Sequence, residues 1–295
     1  MQSLQDWCTQ QWVIIRGRKI DPKEVPWLIG PFGNMGGIGA SFIDHLAEKE
    51  DLVVKRDQGS NGLIPSISDL NLPDVEASRL SQAVADFYEH TADYDLDFSV
   101  EWTSFFRMLG LLVNRLFSNR INQLNIPTQN LSDGESLKSE IITLLDPTTN
   151  QAKYTIWFRT IESSGQVIYS GVYGTCTLPS GKTCVKAVFP LPNGNATVIM
   201  TPSVGVNGEL ILDSSGKGFG DAGFYFLLSD SKGAVWAQFI RSFRDRLTVG
   251  VKDDHISAEQ TLTLFKLKVV TFNYRIMPKT YRFSSSYPIS TNDSP

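Results

Sequence analysis

From Leu137 to Ile276 the chain is a succession of short runs rich in β-branched and aromatic residues: SEIITLL, KYTIWFRTIE, QVIYSGVYGTCTL, TCVKAVFPL, ATVIM, GELILD, GFYFLLS, AVWAQFIRSF, LTVGV and a long AEQTLTLFKLKVVTFNYRI. Turn residues separate them (ESSG, PSGK, PNGN, DSSGKGFGDAG, SDSKG), with no helical period between. So many short strands at hairpin spacing predict an antiparallel barrel or a strongly curved sheet.

Residues 1–130 have a different texture. MQSLQDWCTQQWVII, ASFIDHLAEKE (40–50) and SRLSQAVADFYEH space their apolar residues as packing helices do. TSFFRMLGLLVNRLFSNR adds a fourth helix, broken by Arg107, Asn114 and Arg115 and too short to cross a bilayer. The expected architecture is therefore α+β: a helical N-terminal portion (1–130) packed on or capping an antiparallel barrel of nine or ten strands (131–277), then a flexible tail (278–295).

The stretch FYEHTADYDLDFSVEW (87–102) holds five acids and a histidine. Asp93, Asp95 and Asp97 copy the start of a calcium loop, but Phe98 stands where that loop needs glycine and Ser104 where it needs glutamate. At period two the acids fall on one side and Tyr94, Leu96, Phe98, Val100 and Trp102 on the other. The expectation is a strand-like segment laid by its apolar side against the barrel, leaving His90 with Glu89 and Asp93 as a small acid–base cluster.

Several chemistries lack their residues. A net charge of −4 without a long basic run gives no footprint for nucleic acid. Three histidines and three cysteines in no metal-ligand spacing predict no metal site, and no cofactor is expected. Neither GPFGNMGGIGAS (30–41) nor DSSGKGFGDAG (213–223) has the spacing of a nucleotide-binding loop. The N-terminus lacks a basic region followed by a continuous apolar stretch, so a cytoplasmic location is expected.

Two hairpins have predictable registers. A three-residue loop Pro179-Ser180-Gly181 with Gly181 left-handed sets Cys176 opposite Cys184, as free thiols or as a cross-strand disulfide. With Asn193-Gly194 as a type I′ turn, Phe189 opposes Val198 and Ala187 opposes Met200 on an apolar face.

Candidate binding residues come from the barrel strands. Read as one strand, AVWAQFIRSFRDRLTVGV (234–251) puts Arg241 and Asp245 on an otherwise apolar side. A buried arginine must be paired or must meet an anion, so Arg241 either neutralises Asp245 or offers its guanidinium to a ligand. If the other side is buried, Arg244 takes that role. Trp157, Arg159, Tyr169, Tyr173 and Trp236 are the expected walls or rim, and the glycine between Tyr169 and Tyr173 leaves room for something flat.

The blocks FYEHTADYDLDF, FPLPNGNA and GFGDAGFYF resemble an uncharacterised group of bacterial proteins over roughly residues 25–275, a likeness that transfers no catalytic residue or substrate. At the level of architecture the strand pattern resembles lipocalin-like and other calycin barrels. The functional expectation is binding of a hydrophobic small molecule (a lipid, terpenoid or polyketide-like compound), with an anionic end held by Arg241. Two alternatives stay open: a cofactor-free cyclase or isomerase using His90, Asp93 or Asp245 for proton transfer, and an interaction module that meets a protein or membrane surface through FFRMLGLLVNRLF.

Overall fold

A computed structural model of the chain describes residues 13–33, 41–56, 61–103, 131–165 and 167–279, with backbone alone at 131–135, 168 and 169. Most of the expected N-terminal helix, the glycine-rich segment from residue 34 to 40, the expected helix from residue 104 onward and the tail from 280 lie outside the described residues. The described helices are α1 (Ser41–Glu50), α2 (Asp74–Ala77) and α3 (Gln82–Glu89), with 3-10 turns at Ile67–Leu70 and Thr91–Asp93.

Ten strands close into an antiparallel barrel. They are β3 (Tyr94–Trp102), β4 (Leu131–Leu145), β5 (Ala152–Ile161), β6 (Val167–Thr177), β7 (Thr183–Leu191), β8 (Gly194–Val204), β9 (Leu210–Asp213), β12 (Phe243–Lys252), β13 (His255–Leu264) and β14 (Leu267–Pro278). Each pairs with its neighbour in chain order, β9 passes directly to β12, and β14 returns to β3 to complete the ring. Closure leaves these staves without a free edge.

Four strands lie off the ring: β1 (Arg18–Ile20), β2 (Val53–Arg56), β10 (Gly223–Ser229) and β11 (Val235–Phe239). Two long staves accommodate them by changing partner along their length. The first half of β8 pairs with β10 and its last residues with β9; β4 pairs with β3 at its start and with β2 at its end. β10, β11 and β1 thus form a flap that leaves the barrel at β8.

The FYEHTADYDLDFSVEW alternation is real, but its strand half is a stave of the barrel rather than a segment laid against it. Leu96, Phe98 and Val100 are buried inside, and Asp95 and Glu101 face outward. The barrel therefore draws a stave from within the portion expected to be helical. Arg246 and Thr248 of β12, Ser257 and Glu259 of β13 and Asn273 and Arg275 of β14 alternate with inward apolar residues in the same way. Apolar inside and charged outside is the reverse of a lipid-facing barrel.

The segment 61–93 plugs the end of the barrel at which β3 begins. Leu63, Ile64, Leu70, Val84, Phe87 and Tyr88 join the barrel interior in one cluster. α3 forms because QAVADFYE sets Val84, Phe87 and Tyr88 on one face, which only the barrel mouth can cover. Thr91 Oγ1 completes this end, donating to the carbonyl of Phe87 (2.7 Å).

Two further clusters coat the outside. Phe42, Ile43 and Leu46 of α1 cover Ile142, Ile156 and Val188. Trp27 and Leu28 cover Cys176, Cys184 and Ile199 together with Tyr225 of the flap. Lys186 locks this loop in place, its Nζ donating to the carbonyls of Ile29 (3.0 Å) and Trp27 (3.2 Å).

Candidate functional site

Inward-pointing residues of nine staves and the aromatic plug of α3 line a cavity of about 50 Å³. Its wall is apolar over most of its surface, with Val185, Ala187, Val198, Met200 and Val249 among the lining. Arg159, Asp245 and Gln260 break that surface, as do the phenols of Tyr88, Tyr173 and Tyr274.

β5 and β6 explain how the arginine is carried inside. Trp157 and Arg159 share the inner face of β5, while Ile156 packs outward under α1. The ladder puts Trp157 directly opposite Gly171 and Arg159 opposite Tyr169. The glycine between Tyr169 and Tyr173 thus stands across the ladder from Trp157, whose Nε1 donates to Ser139 Oγ at 2.8 Å. Arg159 is 5% exposed; its guanidinium lies 4.0 Å from the Trp157 ring centroid and 5.6 Å from that of Tyr274. It also hydrogen-bonds Tyr274, a phenol whose pKa burial raises.

Asp245 enters from the opposite side of the ring. It is 7% exposed; its Oδ2 accepts from Gln260 Nε2 at 2.8 Å, and its Oδ1 has no hydrogen-bond partner among the described residues. The backbone is fixed on both sides, since Asp245 N donates to Ser214 Oγ (2.7 Å) and Ser214 N donates to the Asp245 carbonyl (2.9 Å). Burial pushes the carboxyl up to about 7, against a downward pull from Gln260, and the charge of Asp213 adds to the rise. At neutral pH this group can therefore give or take a proton.

The expected Arg241–Asp245 pair does not form. Residues 234–251 are not one strand: β11 ends at Phe239, Arg241 lies in an exposed turn, and β12 begins at Phe243. Period two held through a turn because the turn preserves parity, so the sequence gives no warning of the break. Arg244 is half-buried on the outer side of β12 and lines no part of the cavity.

Trp236 is also outside, on the flap, donating from Nε1 to Asp230 Oδ2 at 2.9 Å. His90 ends α3, with Nδ1 3.2 Å from the carbonyl of Asp86, and Asp93 is exposed in the following turn; neither lines the cavity. The Tyr169 side chain lies outside the described part.

Of the expected residues the structure gathers Trp157, Arg159, Tyr173 and Asp245 around one space. It adds Gln260, Tyr274, Phe87 and Tyr88, which the sequence reading did not single out. The signal for two of them was present: in AEQTLTLFKLKVVTFNYRI, a polar Gln260 interrupts an inner face, and Tyr274 shares a face with Val270 and Phe272. That run was read as one strand, but it folds at Phe265-Lys266 into β13 and β14.

No family model matches the chain, and no solved structure matches it. A protein of Bacillus subtilis (strain 168) described as "Uncharacterized membrane protein YndJ" is 26% identical over 218 residues, 73% of this chain and 38% of that protein. The chain thus spans well under half the length of this relative. Among the described residues no helix is long and apolar enough to cross a membrane.

Proposed function

We propose that the barrel binds a compact hydrophobic molecule, or the end of a longer one, with its polar group turned toward Arg159 and Asp245. The observation that carries this reading is the combination of a buried arginine and a buried carboxyl oxygen lacking a partner, both facing one apolar cavity. A buried carboxyl oxygen without a partner is costly, and a ligand donor would meet Asp245 Oδ1 while an acceptor on the same ligand reached the Arg159 guanidinium beside its Trp157 and Tyr274 contacts. The anchoring role once expected of Arg241 passes to Arg159.

Size narrows the ligand. A cavity of about 50 Å³ takes a small group rather than a long chain. A longer lipid or terpenoid, of the kind lipocalin-like barrels enclose, requires the Phe87 and Tyr88 plug to withdraw. The name of the Bacillus relative places that protein in a membrane, which fits a ligand drawn from an apolar phase.

A second reading rests on Asp245 alone. A carboxyl held at about 7 beside open space suits general acid–base catalysis at neutral pH, as a cofactor-free isomerase or cyclase would require. Native mass spectrometry of the purified protein tests both. A co-purified small molecule that is lost in Arg159→Met supports binding. If Asp245→Asn retains a molecule that differs in mass or retention time from that held by the unmodified protein, Asp245 performs chemistry. Unliganded protein from every source, with no small molecule shifting its thermal unfolding, would sink the binding reading.

A further inference from the structure

The hairpin between β13 and β14 ends in a tip that does not follow the rule of the rest of the barrel surface. Phe265 and Lys266 are its two turn residues, both left-handed (φ 50° and 67°). A two-residue turn with both φ positive ordinarily selects glycine, asparagine or aspartate. Here phenylalanine and lysine occupy it, and they project fully: Phe265 is 73% exposed and the next residue but one, Leu267, 58% exposed. Lys266 and Lys268 beside them are exposed as well.

The neighbouring turn extends the pattern. Phe265 N donates to the carbonyl of Ser242 at 2.8 Å, which holds the tip against the turn between β11 and β12. That turn presents the exposed Arg241, and Arg244 sits opposite Thr263 one step into the hairpin. The acid that the ladder brings to this end is Glu101, opposite Thr271. Two large apolar side chains at the apex, with the exposed Arg241, Lys266 and Lys268 and the half-buried Arg244 around them, match a surface that is anionic outside and apolar beneath.

We infer that the β13–β14 tip docks on an anionic lipid bilayer, Phe265 and Leu267 entering the headgroup layer while Lys266, Lys268 and Arg241 meet lipid phosphates. Amphipathic insertion and basic contacts act together in such binding, since neither two side chains nor a few charges suffice alone. A protein partner with an acidic rim around an apolar pocket is the competing occupant. Exposed apolar side chains at a hairpin apex, flanked by lysines and arginine, favour the bilayer, which accepts a projecting tip.

Vesicle co-sedimentation of the full chain decides between them. The expected result is binding to phosphatidylcholine vesicles that also contain phosphatidylglycerol, weak binding to phosphatidylcholine alone, and release as salt is raised. Phe265→Ser with Leu267→Ser weakens anionic-vesicle binding by about tenfold or more. Lys266→Glu with Lys268→Glu weakens it by about tenfold while leaving binding to neutral vesicles unchanged. Both variants change exposed residues only, and unaltered circular dichroism confirms that they fold. Failure to sediment with anionic vesicles, equal sedimentation of the variants, or a concentration-dependent dimer abolished by Phe265→Ser with Leu267→Ser would each overturn the inference.

Discussion

Asp245 holds its carboxyl in an environment that its charged form disfavours. Its carboxyl is raised from an ordinary carboxylate value to about 7 by burial, so folding favours the neutral form. The stability this gives is complete below the unfolded pKa near 4 and is lost as pH rises through about 7. The protein should therefore lose up to a few kcal/mol between those limits on account of this group. Asp245→Asn keeps an acceptor for Gln260 and removes the titration; its unfolding midpoint in denaturant should be flatter with pH over that window than that of the unmodified chain. An equally steep profile in the variant would assign the dependence elsewhere.

Arg159 behaves differently because it has partners on two sides, the Trp157 face and Tyr274. Replacing a buried ion by an apolar side chain of similar volume is often close to neutral. Arg159→Met should change stability by only about 1 kcal/mol in urea unfolding, while abolishing retention of any co-purified molecule. A large loss of stability would mark Arg159 as structural. Its role was legible in the sequence only as one charged residue on an aromatic face; the neighbouring Arg241 carried the same signal and turned out to lie in a turn.

At the scale of elements, the hairpin of β6 and β7 was legible, because its loop length and left-handed residue together fix register. The hairpin of β6 and β7 has Gly181 at φ 82°, Cys176 directly opposite Cys184, and both thiols free. A Cβ at Gly181 would meet nothing, so Gly181→Ala isolates the backbone cost and should destabilise by about 1 kcal/mol. Cys176 is pushed up to about 12 by burial and Cys184 is also raised. In a Cys8→Ser background neither should react with a thiol reagent at mildly alkaline pH until the protein unfolds; rapid native labelling would contradict the packing under Trp27.

The next hairpin was read less well. Its loop is Pro192-Asn193, with Asn193 left-handed, so Phe189 pairs with Ala196 and Ala187 with Val198. This is two residues from the expected register. A shift of two preserves parity, which is why Phe189, Ala187, Val198 and Met200 all face the interior as expected. Alternation alone identifies a face; only the turn identifies a partner.

For the whole molecule, the plug matters most. Phe87 is 2% exposed and touches the rings of Tyr88, Tyr94 and Trp157 edge-on, at 5.4, 5.4 and 6.4 Å between centroids. Phe87→Ala should destabilise by about 3–5 kcal/mol in denaturant titration and enlarge the cavity, increasing uptake of a small apolar dye if the plug guards the binding space. Loss of stability without added uptake would leave the plug as core packing alone.

The sequence by itself determined a β-rich chain of short hairpin-linked strands, the inward face of most staves and the packing face of α1. These follow from local periodicity and turn chemistry, which are written in neighbouring residues. Only the tertiary structure decided that β3 joins β4 and β14 to close the ring, that β10 and β11 leave it as a flap, and that Arg159 rather than Arg241 shares a cavity with Asp245. Closure and cavity depend on pairings between residues far apart in the chain, and a period of two carries no information about which distant strand will satisfy a given edge.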